Sequence, residues 1–255
     1  MANHLKEHLY LWCHNPGVYN DIPGIPGQSF LTAREAAEEM GIENLIMVCY
    51  GGKPLPPFEP IQDEFKKYKN VIWSIVGDAA CKYENNEAFV NEVISLQKKY
   101  PNIKGGVLDD FFLEGRTFDL ETISRKMREA NLPLWVVVYD FQLEREDVLR
   151  KLNDCDVITF WTWDVKNLAS MEHNLRYLHA KYPEKKIVSG CYLWNFGSDL
   201  DLTVRHMEYQ CNTALDCLKE GIITDIIFVG SPLIGMGLQT EKWTKEWIKR
   251  EFRAL

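Results

Sequence analysis

The sequence lacks several features that would assign a protein to a class at once. Its seven cysteines are scattered and form no Cys-x-x-Cys pair, so free thiols are expected rather than a disulfide framework. No apolar run reaches the ~18 residues that a membrane span needs, so no membrane association is expected. The opening MANHLKEHLYLW is too polar for a signal peptide. We expect either a cytoplasmic protein or a secreted one whose leader has been removed.

Positive charge is also scarce. The chain carries 29 Lys and Arg residues against 37 Asp and Glu, a net charge of −8. An acidic surface disfavours nucleic acid, and no basic stripe with interleaved aromatic residues is present. Tryptophan, in contrast, is abundant, at 8 residues. Most tryptophans in any protein are core residues, but the side chain also serves as a stacking platform for sugars.

Short β-rich runs recur along the whole chain. They are continuous apolar runs, as expected for strands buried on both faces of a parallel sheet. The eight runs span 8–15, 44–50, 70–77, 104–111, 134–140, 156–163, 186–194 and 225–230.

Helical patterns lie between these runs. TAREAAEEMG (32–41) ends in a Gly stop, and 88–101 ends in Lys-Lys and Pro. Comparable patterns span 119–133, 171–183, 202–221 and 243–255. Repeated strand-helix units and a length of 255 residues predict α/β class, a single (β/α)8 TIM barrel forming one domain over 1–255. A doubly wound open sheet is the alternative, but no GxGxxG follows the first run.

In such a barrel the active site lies at the carboxyl ends of the strands. The residues at these ends are rich in carboxylates and aromatic rings: Trp12, His14 and Asn15; Tyr50 and Lys53; Gly77 and Asp78; Asp109 and Asp110; Tyr139 and Asp140; Trp161, Trp163 and Asp164; Tyr192, Trp194 and Asn195; Gly230 and Ser231. This lining suits an uncharged, polyhydroxylated ligand, so a carbohydrate substrate is expected. His14 stands alone rather than in an HxH pair, so no metal is expected, and nothing calls for an organic cofactor.

The stretch GGVLDDFF (105–112) ends the fourth run with two adjacent acids. The alternative to a functional role is that one caps the next helix and the other faces water. The next helix pattern begins only near Asp119, too far along the chain for either acid to cap it. Phe111 and Phe112 follow the pair directly, which argues against a solvated loop. Repulsion and nearby aromatic rings favour the protonated form of one carboxyl group, as a general acid near neutral pH requires. Neighbours on a strand point to opposite faces, so both acids can reach one site only if the strand end bends.

An Asp-Asp pair ending strand four resembles the O-GlcNAcase-type glycoside hydrolases (glycoside hydrolase family 84), whose motif reads roughly LFDDI. The similarity continues in order along the chain. Lys53 follows strand two like the family's substrate-contacting lysine, and Tyr139 ends strand five like its catalytic tyrosine. FWT (160–162) resembles WTG, and LWNFGSDLD (193–201) resembles LWDN…ND.

The resemblance implies a substrate-assisted retaining mechanism in which the 2-acetamido oxygen attacks the anomeric carbon. Asp109 would orient the acetamido N–H, and Asp110 would protonate the leaving oxygen and then activate water. Asp201 would bind sugar hydroxyls. The sequence departs from the family pattern where Trp163, Asn195 and Phe196 stand in place of Gly, Asp and Asn, and where CHNPGVYN (13–20) replaces the Gly-rich approach after strand one.

Several other readings stay open at this point. Trp161, Trp163 and Trp194 are candidates for stacking on sugars, or they are core residues. Asp140 or Asp164 could pair with Asp110 in a conventional two-carboxylate glycosidase, or they cap loops. The remaining candidates are His14 as a substrate ligand, Glu114 as a loop acid reaching the site, and GSPLIGMG (230–237) as a phosphate cradle or a plain turn. A barrel that binds carbohydrate without turnover is a further alternative, and the sequence does not indicate an oligomeric state.

Overall fold

The computed structural model describes residues 6–77, 86–113 and 119–252. Eight parallel strands form a closed barrel in chain order, with the last strand paired to the first. The strands are β1 (Leu9–Cys13), β2 (Asn44–Cys49), β3 (Asn70–Gly77), β4 (Ile103–Leu108), β5 (Leu134–Tyr139), β6 (Val157–Trp161), β7 (Lys186–Tyr192) and β8 (Asp225–Val229). The predicted (β/α)8 barrel is confirmed. The strand-end acid Asp78 and the loop acid Glu114 lie outside the described residues.

Helices alternate with the strands. They are α1 (Ala33–Met40), α2 (Glu59–Glu64), α3 (Asn86–Lys99), α4 (Leu120–Glu129), α5 (Glu146–Lys151), α6 (Met171–Lys181), α7 (Val204–Lys219) and α8 (Gln239–Glu251). Thr32 and Glu35 form a capping box at the start of α1, and Gly41 ends it in the left-handed conformation at φ 66°. Within the described ranges, no helix has both the length and the apolar character to cross a membrane.

Two short helices are missing from the sequence-based prediction. Both α2 and α5 have only six residues, too few for apolar spacing to distinguish a helix from a loop. The segment 51–60 reads as a Pro-rich loop, but Pro60 lies in the first turn of α2, where a missing N–H costs nothing.

The predicted runs extend beyond the carboxyl ends of most strands. The first run continues to Asn15 although β1 ends at Cys13, and the sixth continues to Trp163 although β6 ends at Trp161. The residues beyond the strand ends include buried ones such as His14 and Thr162, which continue the strand's pattern without its pairing. Sequence patterning therefore locates the strands well but does not separate a strand from the buried segment that follows it.

Aromatic rings from several strands pack together in the barrel interior. Side chains that alternate along the strands fill it, for example Tyr10 and Trp12 on β1 and Trp135, Val137 and Tyr139 on β5. A second, larger core lies between the sheet and the helices.

Gly190 on β7 provides the space for the indole of Trp161, one of these interior rings. A β-carbon at this position would lie 1.9 Å from a ring carbon of Trp161, far closer than two carbons can approach. Trp161 is also 5.3 Å from Trp12 and 5.2 Å from Tyr192 by ring centroids. The indole is therefore enclosed on several sides and has no room to move away.

We predict that Gly190→Ala lowers the free energy of unfolding by about 1–3 kcal/mol, because overpacking a close-packed interior forces side chains off their rotamers. Urea-induced unfolding measures this loss. The matched control is a double-mutant cycle with Trp161→Leu, in which the smaller side chain should relieve the clash and make the two losses less than additive. Strict additivity would contradict the assigned contact.

Candidate active site

An open cavity of about 550 Å³, a volume that includes the solvent at its mouth, lies at the carboxyl end of the barrel. Its lining is dominated by aromatic rings and contains two carboxylates. The lining residues are Trp12, His14, Tyr19, Tyr50, Asp109, Asp110, Val137, Tyr139, Trp161, Trp163, Tyr192, Phe196 and Val229. No lysine or arginine from the described ranges is among them. An uncharged ligand with apolar faces matches this surface better than an anion does.

Asp109 and Asp110 both line this cavity although they are neighbours in the chain. Strand β4 ends at Leu108, and the backbone at Asp110 then adopts the left-handed conformation with φ 51°. Asp is among the few non-Gly residues that tolerate this region, at a cost of order 1 kcal/mol. The turn ends the alternation that would otherwise direct the two side chains to opposite sides of the barrel wall.

The segment after the acid pair is anchored in the wall. The Leu113 N–H donates a hydrogen bond to the Asp110 carbonyl at 3.2 Å, closing a tight turn. The Phe111 and Phe112 rings are buried and meet edge to face, with centroids 5.2 Å apart. Arg145 Nη1 donates to the Phe112 carbonyl at 2.9 Å, linking this turn to the loop after β5. These contacts fix the position of the acid pair relative to the barrel.

Tyr139, at the end of β5, is hydrogen-bonded to Asp110, the second acid of the pair. Its hydroxyl donates a hydrogen bond to Asp110 Oδ1 at 2.6 Å. Burial raises the pKa of Tyr139 well above its usual value, and the neighbouring Tyr192, Asp110 and Asp109 raise it further. Burial and the same two acids also raise the pKa of Tyr192. Both phenols therefore stay protonated and act as hydrogen-bond donors at any physiological pH.

Two of the three candidate tryptophans line the cavity. Trp161 is buried, and its Nε1 donates to Thr159 Oγ1 at 3.0 Å, which fixes the indole at the barrel end. Trp163 packs edge-on against Tyr139 with centroids 5.3 Å apart. Trp194 does not line the cavity and packs, half-buried, against the outer core.

His14 is a neutral residue in the cavity wall. It is 3% exposed, and burial lowers its pKa to about 3. Its Nε2 lies 3.4 Å from the Tyr19 hydroxyl, and its backbone N–H donates to Ser231 Oγ at 3.1 Å. His14 is therefore suited to hydrogen bonding as an uncharged imidazole and not to carrying positive charge.

The structure does not bring Asp140 and Asp164 into the cavity lining. Asp140 accepts hydrogen bonds from the Trp163 N–H at 3.0 Å and from Asn167 Nδ2 at 2.8 Å. Asp164 accepts from the Lys166 N–H and from Ser198, and it pairs with the Lys166 ammonium at 2.8 Å. Burial alone would raise the pKa of Asp164, but the hydrogen bonds from Lys166 and Ser198 outweigh it and lower that pKa. Both carboxylates hold loops together.

Three further predicted substrate ligands, Asn195, Lys53 and Asp201, do not line the cavity. Asn195 is buried; its Oδ1 accepts from the Val165 N–H at 3.1 Å, and its Nδ2 donates to the Leu200 carbonyl at 2.8 Å. Its amide thus fastens the loop after β7. Lys53 and Asp201 are exposed on the loops after β2 and β7 and do not line the cavity.

Tyr19 and Phe196 are lining residues that the sequence reasoning did not select. Tyr19 lies in the Pro/Gly-rich loop 16–27, and its ring contacts His14, Tyr50 and Phe196 at centroid distances of 5.2–5.5 Å. An aromatic residue in a stiff loop after a barrel strand is the signal that could have identified it. Phe196 replaces an Asn of the family motif, and its ring is within 6.2 Å of Trp163 by centroids.

The loop 230–237 forms a plain backbone turn. The Gly235 N–H donates to the buried carboxylate of Glu241 at 3.0 Å, and that carboxylate also pairs with Lys245. The Gly235 N–H therefore already donates to the Glu241 carboxylate and is not available to bind a phosphate. Among residues 6–77, 86–113 and 119–252, no group of three His, Cys, Asp or Glu side chains could hold a metal ion.

We predict that His14 makes the fold less stable in mild acid. Its folded pKa of about 3 lies below the unfolded value of 6.5, so protonation favours the unfolded state as the pH falls through 6.5. Lowering the pH from 7 to 5 should cost about 2 kcal/mol through this residue. Between pH 7 and pH 5 the unfolding free energy of a His14→Gln variant should therefore fall by about 2 kcal/mol less than that of the wild type. The exposed His173→Gln variant is the control and should follow the wild type; equal slopes in all three would refute the assignment.

A scan against protein-family models and a search of curated proteins each found no match. Solved structures do match over nearly the whole chain. A proposed alpha-L-fucosidase from Bacteroides thetaiotaomicron has a TM-score of 0.61 at 12% identity, covering 97% of this chain and 96% of that one. The catalytic domain of a family GH18 chitinase from the fern Peteris ryukyuensis has a TM-score of 0.55 at 10% identity, covering 94% and 99%.

The same barrel fold also occurs in a protein that is not named as a glycoside hydrolase. A mutant tryptophan synthase alpha-subunit from Pyrococcus furiosus matches with a TM-score of 0.53 at 12% identity, covering 96% of this chain and 97% of that one. At such identities the likeness extends to the fold alone. These comparisons establish the chain as a (β/α)8 barrel similar in architecture to all three.

Proposed function

We propose that this protein is a glycoside hydrolase whose general acid and base is Asp110. The observation that carries the proposal is the pair Asp109–Asp110, two neighbouring carboxylates that reach one aromatic cavity at the catalytic end of a barrel. The lining offers rings for the apolar C–H faces of a sugar. Two of the structures with this fold are named a fucosidase and a chitinase, which agrees with such a role.

The contact with Tyr139 would orient Asp110 for proton transfer. The Tyr139 hydroxyl bonds to Oδ1 and so orients the carboxyl group while engaging one oxygen. The proton on the other oxygen would pass to the glycosidic oxygen as the bond to the anomeric carbon breaks. The resulting carboxylate would then take a proton from the water that completes hydrolysis, so the same residue serves both steps.

Asp109 would assist a nucleophile that belongs to the substrate. Conventional retaining enzymes place the acid and the nucleophile on opposite sides of the bond, with carboxyl groups ~5–5.5 Å apart. No third carboxylate from the described part of the chain lines the cavity, and Asp140 and Asp164 are engaged with loop backbone and side chains. A 2-acetamido sugar supplies its own oxygen as nucleophile. Asp109 would accept the acetamido N–H and stabilise the positive charge that develops on that group.

The remaining lining residues would bind the sugar. Trp161 and Trp163 offer ring surfaces, and the neutral His14 and the phenols offer uncharged hydrogen-bonding groups for hydroxyls. Lys53 and Asp201 lie outside the cavity on loops of the same barrel face, so they would contact parts of a longer substrate.

We predict that the wild type hydrolyses an aryl N-acetyl-β-glucosaminide and that Asp110→Asn lowers kcat/KM by about 10²–10⁴-fold, the usual contribution of a general acid–base group. The loss in the bond-breaking step should be much smaller for a 2,4-dinitrophenyl glycoside, because that leaving group needs no proton. Steady-state and single-turnover rates on a panel of aryl glycosides, with and without the acetamido group, measure both effects.

Matched variants separate the alternatives. Asp109→Asn should slow turnover, whereas Asp140→Ala and Asp164→Ala should act mainly through stability. A rate that is indifferent to Asp109→Asn but lost in Asp140→Ala or Asp164→Ala would instead favour a conventional carboxylate pair. Binding of the sugar without turnover by the wild type would identify a non-catalytic carbohydrate-binding barrel.

A further inference from the structure

Phe141 is a large apolar side chain that remains exposed beside the cavity. Its ring is 51% exposed although it follows a fully buried strand by two residues. It lies in the short 3-10 turn Asp140–Gln142, which is fixed because the Tyr139 N–H donates to the side-chain oxygen of buried Gln142 at 3.0 Å. The exposure is therefore built into a rigid turn.

The Phe141 ring lies parallel to the ring of Tyr139, whose hydroxyl is hydrogen-bonded to the proposed acid Asp110. Phe141 and Tyr139 have centroids 5.3 Å apart and planes 8° apart, an offset stack. Tyr139 in turn donates to Asp110 Oδ1 at 2.6 Å. One face of the Phe141 ring is thus supported by the residue that orients the acid, while about half of the side chain stays open to solvent.

Exposed apolar side chains collect on this end of the barrel. In the part of the chain that the structure describes, the large hydrophobic side chains with high exposure are Phe30, Leu55, Phe141, Leu200 and Tyr209. Four of the five follow β1, β2, β5 or β7, so they lie on loops at the same face as the cavity. Of these four, Phe141 stacks on Tyr139, the residue bonded to Asp110.

We propose that Phe141 is the stacking platform for the leaving-group sugar, so that the natural substrate is an oligosaccharide or another glycoside with a ring-shaped leaving group. This inference rests on the proposed function. In glycoside cleavage the general acid protonates the oxygen that joins the two units, so the leaving group lies beside the acid. Pyranose rings present apolar C–H faces, which an open aromatic ring desolvates on contact. A glycoside with a methyl leaving group would have nothing to place on this ring.

The test compares two substrates that share a sugar and differ in the leaving group: N,N′-diacetylchitobiose and methyl N-acetyl-β-glucosaminide. For Phe141→Ala we expect kcat/KM to fall about tenfold on the disaccharide and to stay within twofold on the methyl glycoside. Phe141→Trp, which keeps an aromatic platform, should retain the wild-type preference for the disaccharide. Tyr209→Ala, an exposed aromatic on α7, is the control and should change neither rate.

The outcomes separate this inference from the function on which it rests. If the wild type hydrolyses both substrates and Phe141→Ala slows them equally, or slows neither, the platform is refuted and the hydrolase stands. An equal loss would mean that Phe141 acts only by supporting Tyr139. If the wild type cleaves neither substrate and no glycoside of the aryl panel, the proposed function fails and the platform fails with it.

Discussion

The left-handed turn at Asp110 is the constraint on which the candidate site depends. A regular strand would send the side chains of Asp109 and Asp110 to opposite sides of the barrel wall, one into the cavity and one toward the helices. Ending β4 at Leu108 and turning at Asp110 brings both to one cavity. The Phe111–Phe112 contact, the Arg145 hydrogen bond to Phe112 and the Tyr139 hydrogen bond to Asp110 hold that turn. Their combined effect offsets the modest backbone cost of the left-handed conformation.

The site and the barrel core are continuous. Trp12, Val137, Tyr139, Trp161 and Tyr192 belong to the interior packing of the barrel and also line the cavity. Rings with this double role are held by their neighbours before any ligand arrives. Rigid positioning of this kind is what electrostatic stabilisation and stacking require, since a preorganised group needs no rearrangement when the reaction occurs. Changes at these positions would therefore affect both the stability of the barrel and the proposed ligand binding.

Acidic residues at strand ends divide into two kinds in this molecule. Asp140 and Asp164 accept hydrogen bonds from backbone N–H groups and from Asn167, Ser198 and Lys166, and so connect the loops after β5, β6 and β7. Asp109 and Asp110 face the cavity. In the sequence each of the four ends an apolar run, and only their adjacency distinguishes Asp109 and Asp110 from the other two. The difference depends on which loop amides lie within reach, and that depends on loop conformations that residue patterns do not specify.

The sequence by itself determined the barrel, its eight strands and most of its helices, because apolar periodicity, helix caps and Gly or Pro stops are local signals. It also singled out the tandem acids, since two adjacent carboxylates between apolar residues have no simple structural use. Only the tertiary structure decided which residues meet. It joined Tyr139 to Asp110 across 29 positions, brought Tyr19 from a Pro/Gly-rich loop into the wall, and set Trp194 and Asn195 outside the cavity. Such contacts follow from chain closure and from the exact course of loops, and these are properties of the whole barrel rather than of any short stretch of sequence.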